Sequence, residues 1–148
     1  MAGILAVAQT AEVATGTAKK TLMQLVAAAN HRVLIKEISI SFDGTSNTAA
    51  PIIVQVLRQT TAGTMSALTP VAIDEAIDET LQTTAQHTAT VEPTGAIEVM
   101  GEQVHPQGGY TWQAPFGGEI VVIGGNRLGI AVTAGADVNA KVRVVFEE

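Results

Sequence analysis

The closing run of the chain, residues 138–146, alternates apolar and polar side chains with a period of two. Its even-numbered positions are all apolar, ending at Phe146, and its odd-numbered positions are polar apart from Val145. Successive side chains of a β-strand point to opposite faces, so this period is typical of a strand with one face on a core and the other in water. The pattern recurs along most of the chain and predicts an all-β protein.

Similar runs, separated by turns rich in Gly, Pro, Asn and Asp, predict eight to ten short strands and no convincing helix. They cover residues 21–28, 33–42, 52–60, 80–91, 96–104, 110–114, 118–123, 127–133 and 138–146. Residues 22–29 have the propensity for a short helix, but the pattern around them favours a strand. The apolar face of the second run is expected to contain Leu34, Ile38, Ile40 and Phe42. Lys36 interrupts that face and is expected to extend its long stem to solvent. Residues 43–47 have the composition of a turn, and residues 61–79 are expected to form a loop. This organisation predicts an antiparallel β-sandwich or barrel.

Length and charge narrow the functional classes. The 148 residues suit one domain. The formal net charge is −6 and the eight Lys and Arg residues are scattered, which argues against a nucleic-acid partner. Only 15% of residues are charged, so we expect part of the surface to be covered by copies of the chain or by a larger assembly. The chain has no Cys, which excludes disulfides and thiolate metal sites.

Candidate catalytic patterns are weak throughout. His31, His87 and His105 have no neighbouring His, as a cupin-type metal site would require. The acidic residues within 74–79 lack the central Gly of a calcium loop and suit a solvated loop. The Gly-rich residues 117–126 lack the features of a phosphate-binding loop and suit hairpin turns around a strand. We therefore predict no enzymatic activity, no cofactor, no metal and no small-molecule substrate.

The local aromatic cluster is the strongest candidate binding feature. Tyr110 and Trp112 are two residues apart and share one strand face, and Phe116 follows closely. A place in the sandwich core is one interpretation of this cluster. An interface anchor and a carbohydrate-binding platform are the alternatives.

The first ten residues are apolar and uncharged, and two interpretations remain open. Residues 1–18 are either an arm that pairs with a partner, followed by a domain at residues 19–148, or they contain the first strand of that domain. In the arm interpretation Ile4, Leu5 and Val7 would contact the partner, and deletion of residues 1–10 would leave the domain folded. The apolar segment is shorter than the roughly 20 residues that cross a bilayer, so no membrane partner is expected.

Four segments carry a family resemblance. They are residues 38–45 (ISISFDGT), 51–63 (PIIVQVLRQTTAG), 105–108 (HPQG) and 142–148 (VRVVFEE). With them, most of residues 20–148 resembles the small jelly-roll decoration (cement) proteins of tailed bacteriophage heads. These motifs are strand and turn patterns.

The resemblance implies an antiparallel β-sandwich of the jelly-roll type and a non-enzymatic structural role. It implies a homotrimer, made in the host cytoplasm, that binds the major capsid protein lattice and stabilises the virion at its capsid surface. The alternative is a carbohydrate- or receptor-binding β-sandwich module, which would require Tyr110 and Trp112 to be exposed.

Overall fold

The chain forms two packed antiparallel sheets and belongs to the all-β class. The computed structural model describes residues 3–44, 50–95 and 97–148, and in these ranges it contains thirteen strands and no helix. The predicted antiparallel β-sandwich is therefore confirmed, while the jelly-roll connectivity stays a prediction. Within the same ranges, no helix has the length and hydropathy needed to cross a membrane.

The first sheet, called sheet A, has the strand order β10-β4-β13-β1-β7. Strand β11 pairs with β4 beyond the end of β10, and β2 pairs with β13 beyond the end of β1. Its strands are β1 (Leu5–Gln9), β2 (Val13–Ala14), β4 (Val33–Phe42), β7 (Val71–Ala72), β10 (Gly109–Gln113), β11 (Ile120–Val122) and β13 (Asn139–Glu147).

The second sheet, called sheet B, has the strand order β6-β8-β3-β12-β5-β9. Its strands are β3 (Lys20–Val26), β5 (Ile52–Gln59), β6 (Thr64–Leu68), β8 (Thr84–Val91), β9 (Ile97–Val104) and β12 (Arg127–Thr133).

Short connections between the sheets close both lateral sides of the sandwich. On one side the chain passes from β6, an edge of sheet B, to β7, an edge of sheet A. On the other side it passes from β9 to β10, and an apolar cavity between the sheets is lined by Met100 of β9 and Tyr110 of β10. The two sides therefore lie at opposite ends of the strand order.

The core lies between the sheets and is built from aliphatic side chains. Strand β13 buries the four side chains of its alternating set, which are Ala140, Val142, Val144 and Phe146, and the predicted period of this strand is confirmed. Strand β5 likewise buries Ile52, Val54 and Val56 on one face, in keeping with a period of two. Phe146 is fully buried, and truncating such a residue to Ala typically costs about 3–5 kcal/mol.

The predicted face of β4 is wrong in its first half. A register shift between β4 and β13 leaves Lys36 without an opposing residue, so Ile35 is buried and Leu34 is only half-buried. An extra residue in one strand reverses the alternation beyond it. Lys36 therefore lies at a β-bulge, and its ammonium binds Glu119 and Glu147, each at 3.1 Å, instead of extending alone into solvent.

The prediction of a loop over residues 61–79 is also wrong in part, because this segment contains β6 and β7. Both strands are short and mostly exposed, so they lack a strong apolar alternation. The next predicted strand, residues 80–91, begins later, at Thr84. The predicted turn at residues 43–47 falls largely outside the described residues.

Residues Leu5–Gln9 form an interior strand of sheet A. Strand β1 lies between β13 and β7 and pairs with β13 over all five of its residues. Ala6 and Ala8 are fully buried in the core. In the structure, residues Leu5–Gln9 therefore pair within the chain as the first strand of sheet A.

A buried polar network lies on part of the outer face of sheet B, beneath two loops. The connections at residues 60–63 and 92–95 pass over this face and bond to each other. Below them, the Gln24 amide donates to Gln59 at 2.7 Å, and the Gln59 amide donates to the Thr21 hydroxyl at 3.0 Å. Gln59 reaches Thr21 by crossing Gly129 of β12, where any Cβ would overlap the Gln59 amide.

Candidate partner-binding surfaces

The three N-terminal candidate residues do not share one face. Ile4 is buried, with 5% of its surface exposed, so it belongs to the core instead of an interaction surface. Leu5 is 41% exposed on the outer face of sheet A, and Val7 is half-buried beside it. The alternation of β1 separates these side chains, because neighbouring residues of a strand face opposite ways.

Tyr110 and Trp112 lie on one face of β10, as their spacing predicts. Both are half-buried and pack against the core, opposite Ile40 and Ile38 of β4. Burial raises the pKa of the Tyr110 hydroxyl, and the neighbouring Glu102 carboxylate raises it further. These two aromatic side chains therefore close the side of the sandwich.

Phe116 is separated from the other two aromatic residues and is fully exposed. It occupies the second position of a tight turn in which the Gly118 N–H donates to the Pro115 carbonyl at 2.8 Å. Gly117 has a φ of +76°, which is the conformation that the third position of a type II turn requires. This turn presents Phe116 at the tip of the loop between β10 and β11.

Both ends of the Phe116 loop are held by Lys36. The Ala114 N–H donates to the Lys36 carbonyl at 2.8 Å, and the Lys36 ammonium binds the Glu119 carboxylate at 3.1 Å. Hydrogen bonds to Glu147 and Glu119 raise the pKa of Lys36. A backbone hydrogen bond and the Lys36 ammonium lower the pKa of Glu119. The bulge in β4 thus anchors the turn that carries Phe116.

The histidines are dispersed. His31 and His87 are half-buried, and His105 is exposed and accepts a hydrogen bond from the Gln107 N–H at 3.1 Å. Among residues 3–44, 50–95 and 97–148, no three His, Asp or Glu side chains form a group able to hold a metal ion.

Several exposed apolar residues that local patterns did not identify lie near the sheet edges. Val71 and Ile73 are 61% and 52% exposed, and Ile97 and Ile123 are 67% and 58% exposed. Val71 and Ile73 alternate within the segment expected to be a loop, which is the signal that identifies them as one face of an extended chain.

Comparisons with known proteins return no relative. No family model matches the chain, and neither a curated protein nor a solved structure matches it.

Proposed function

We propose that this chain is a non-enzymatic virion structural protein that decorates a phage capsid and stabilises it by binding the major capsid protein lattice. The observation that carries the proposal is the fully exposed Phe116, held at a turn tip by bonds to Lys36. Aromatic anchors that fill a partner's pocket supply much of the energy of protein interfaces. The resemblance to decoration proteins supplies the identity of the partner.

The contact made by one Phe116 side chain is too weak for stable attachment, so several copies of the chain must bind together. Burying a Phe side chain contributes about 1.5–3 kcal/mol, whereas even millimolar affinity corresponds to about 4 kcal/mol. Linked copies on a repeating lattice convert weak contacts into tight attachment, because each later contact is intramolecular. The proposed function therefore includes attachment as a homo-oligomer, which the resemblance implies is a trimer.

The carbohydrate- or receptor-binding alternative is less well supported. It relies on Tyr110 and Trp112 as an exposed aromatic platform, and both residues pack against the core. We therefore assign the recognition role to Phe116.

The test uses shells assembled from the major capsid protein encoded by the same genome. We expect the purified chain to co-sediment with these shells and to raise their thermal unfolding temperature. Phe116→Ser should weaken binding about tenfold or more, since loss of about 1.4 kcal/mol changes affinity tenfold. Val91→Ser is the matched control. Val91 is also exposed, at 60%, and it is the last residue of β8, on the side of the sandwich opposite β9 and β10.

Two results would overturn the proposal. One is failure of the wild-type chain to bind the shells at any concentration. The other is equal binding by the Phe116→Ser and wild-type chains, which would remove the residue on which the proposal depends.

A further inference from the structure

Two groups of exposed apolar residues lie on opposite sides of the sandwich, and the charged residues next to them differ in sign. One group lies on β1 and β7, at one edge of sheet A. The other lies on β9, an edge strand of sheet B, and just after β11, which pairs with β4 near the opposite edge of sheet A. We call the first surface the acidic side and the second the arginine side, after the charged residues next to each.

The acidic side combines an apolar patch with unpaired carboxylates. Leu5, Val71 and Ile73 are exposed there, and the Ile73 N–H donates to the Leu5 carbonyl at 2.9 Å, which places the two strands side by side. The residues that follow include four exposed carboxylates, Asp74, Glu75, Asp78 and Glu79. In the part of the chain that the structure describes, none of these four forms an ion pair. The sequence also has no Lys or Arg between Arg58 and Arg127.

The arginine side combines exposed Ile97 and Ile123 with basic side chains. A cleft of about 320 Å³ is lined by Ile97, Arg58 and Arg127, and no carboxylate lines it. Arg58 donates to the Val121 carbonyl at 2.9 Å, and Arg127 donates to the Gln24 side chain at 3.1 Å. These bonds hold the arginine side chains in place and leave further N–H donors for a partner, because a guanidinium carries five.

Two further charged residues lie beside Ile123 and Ile97. Pairing of Val33 with Val122 places Arg32 next to Ile123. Arg32 is exposed in the turn that precedes β4. Glu98 is next to Ile97 in β9, but its carboxylate is within 3.4 Å of the Gln55 amide, away from the residues that line the cleft. The arginine side is therefore locally basic on a chain whose net charge is −6.

We propose that copies of this chain associate head-to-tail, with the acidic side of one copy packed on the arginine side of the next. Each surface offers apolar residues and the charge that the other lacks, and complementary potentials favour such pairing. Contact between two acidic sides would instead bring unpaired carboxylates together, which is destabilising. A head-to-tail contact uses two different surfaces and closes into a ring where its rotation permits.

This inference rests on the proposed function for its biological setting and identifies the surfaces through which the homo-oligomer would form. Its failure is distinguishable from failure of the proposed function. An oligomer that does not bind shells would refute the capsid role alone. Shell binding by a strict monomer would refute the head-to-tail contact and attachment as a homo-oligomer, and would leave the capsid role standing.

The first experiment measures the mass of the full-length chain by sedimentation equilibrium over a range of concentrations. We expect the wild type to form an oligomer that weakens as salt rises, because salt screens charges across the contact. The double variants Val71→Ser/Ile73→Ser and Ile97→Ser/Ile123→Ser should each weaken association at least tenfold. Val91→Ser should leave association unchanged, and circular dichroism should show every variant folded.

The decisive step mixes the two double variants. One retains an intact arginine side and the other an intact acidic side, so a head-to-tail contact predicts a one-to-one heterodimer that grows no further. A monomeric wild type, dissociation by only one of the two variants, or no heterodimer in the mixture would each overturn the proposal.

Discussion

Gly129→Ala tests whether the buried polar network requires a residue without a side chain at position 129. Gly129 lies in β12 between β3 and β5, and the Gln59 side chain crosses it to reach Thr21. Its backbone is not in the left-handed region, so alanine is compatible with the local conformation. The substitution therefore acts through the overlap of the new methyl group with the Gln59 amide.

The expected loss of stability follows from three contributions. Overpacking of a closed site costs about 1–3 kcal/mol. Displacing Gln59 breaks its bonds to Gln24 and Thr21, at about 1 kcal/mol each. Alanine restricts the unfolded chain and offsets about 0.4–1 kcal/mol. The net loss is about 2–5 kcal/mol, a large fraction of the 5–15 kcal/mol typical of a folded domain.

Urea unfolding, followed by the fluorescence of Trp112 and by circular dichroism, measures this loss. Gly135→Ala is the matched control, since a Cβ there meets Ala50 at an ordinary 3.8 Å and should cost nothing. Gln59→Ala vacates the space above Gly129, so the double variant should be about as stable as Gln59→Ala alone. The coupling energy should therefore equal the cost of Gly129→Ala alone, about 2–5 kcal/mol. Additive effects of the two substitutions would refute the crossing of Gly129 by Gln59.

Three further predictions concern the first strand and two charged side chains. Deletion of residues 1–10 removes an interior strand of sheet A, so circular dichroism should show the truncated chain unfolded; a folded product would contradict the position of β1. Hydrogen bonds from Asn139 lower the pKa of Asp43, so the stability that the Asp43 carboxylate contributes should be lost as pH falls below about 4. In urea unfolding, Asp43→Asn should therefore lose less stability than the wild type over this pH range. Lys36→Met should lower stability by less than about 1 kcal/mol, because its ion pairs are partly exposed. The pKa of Lys36 is raised, so its contribution should be present at neutral pH and be lost above about pH 10.4, which unfolding across alkaline pH would reveal.

Local patterns predict the class of this fold because each strand with a strong alternation is decided by its own side chains. The run that ends at Phe146 is an example, since a period of two leaves one consistent way to bury its apolar residues. Strand β5 follows the same rule over Ile52, Val54 and Val56.

The errors occur where a distant strand decides the outcome. The bulge at Lys36 exists because β13 pairs with β4 in two registers, and nothing within residues 33–42 specifies that shift. Strand β7 is two residues long and forms only because β1 lies beside it. Ile4 and Leu5 were equivalent as apolar residues, and pairing with β13 and β7 decides which of them is buried.

The amino-acid sequence by itself determined that the chain is all-β, that its core is aliphatic, and that turns rich in Gly and Pro separate its strands. Tertiary structure decided the candidate surfaces. Phe116 is exposed because Lys36 of another strand anchors its loop. The acidic and arginine sides are separate because the strand orders of the two sheets place β7 on one lateral side of the sandwich and β9 on the other. The physical reason is that alternation is a local property of a strand, whereas exposure depends on which strands become neighbours.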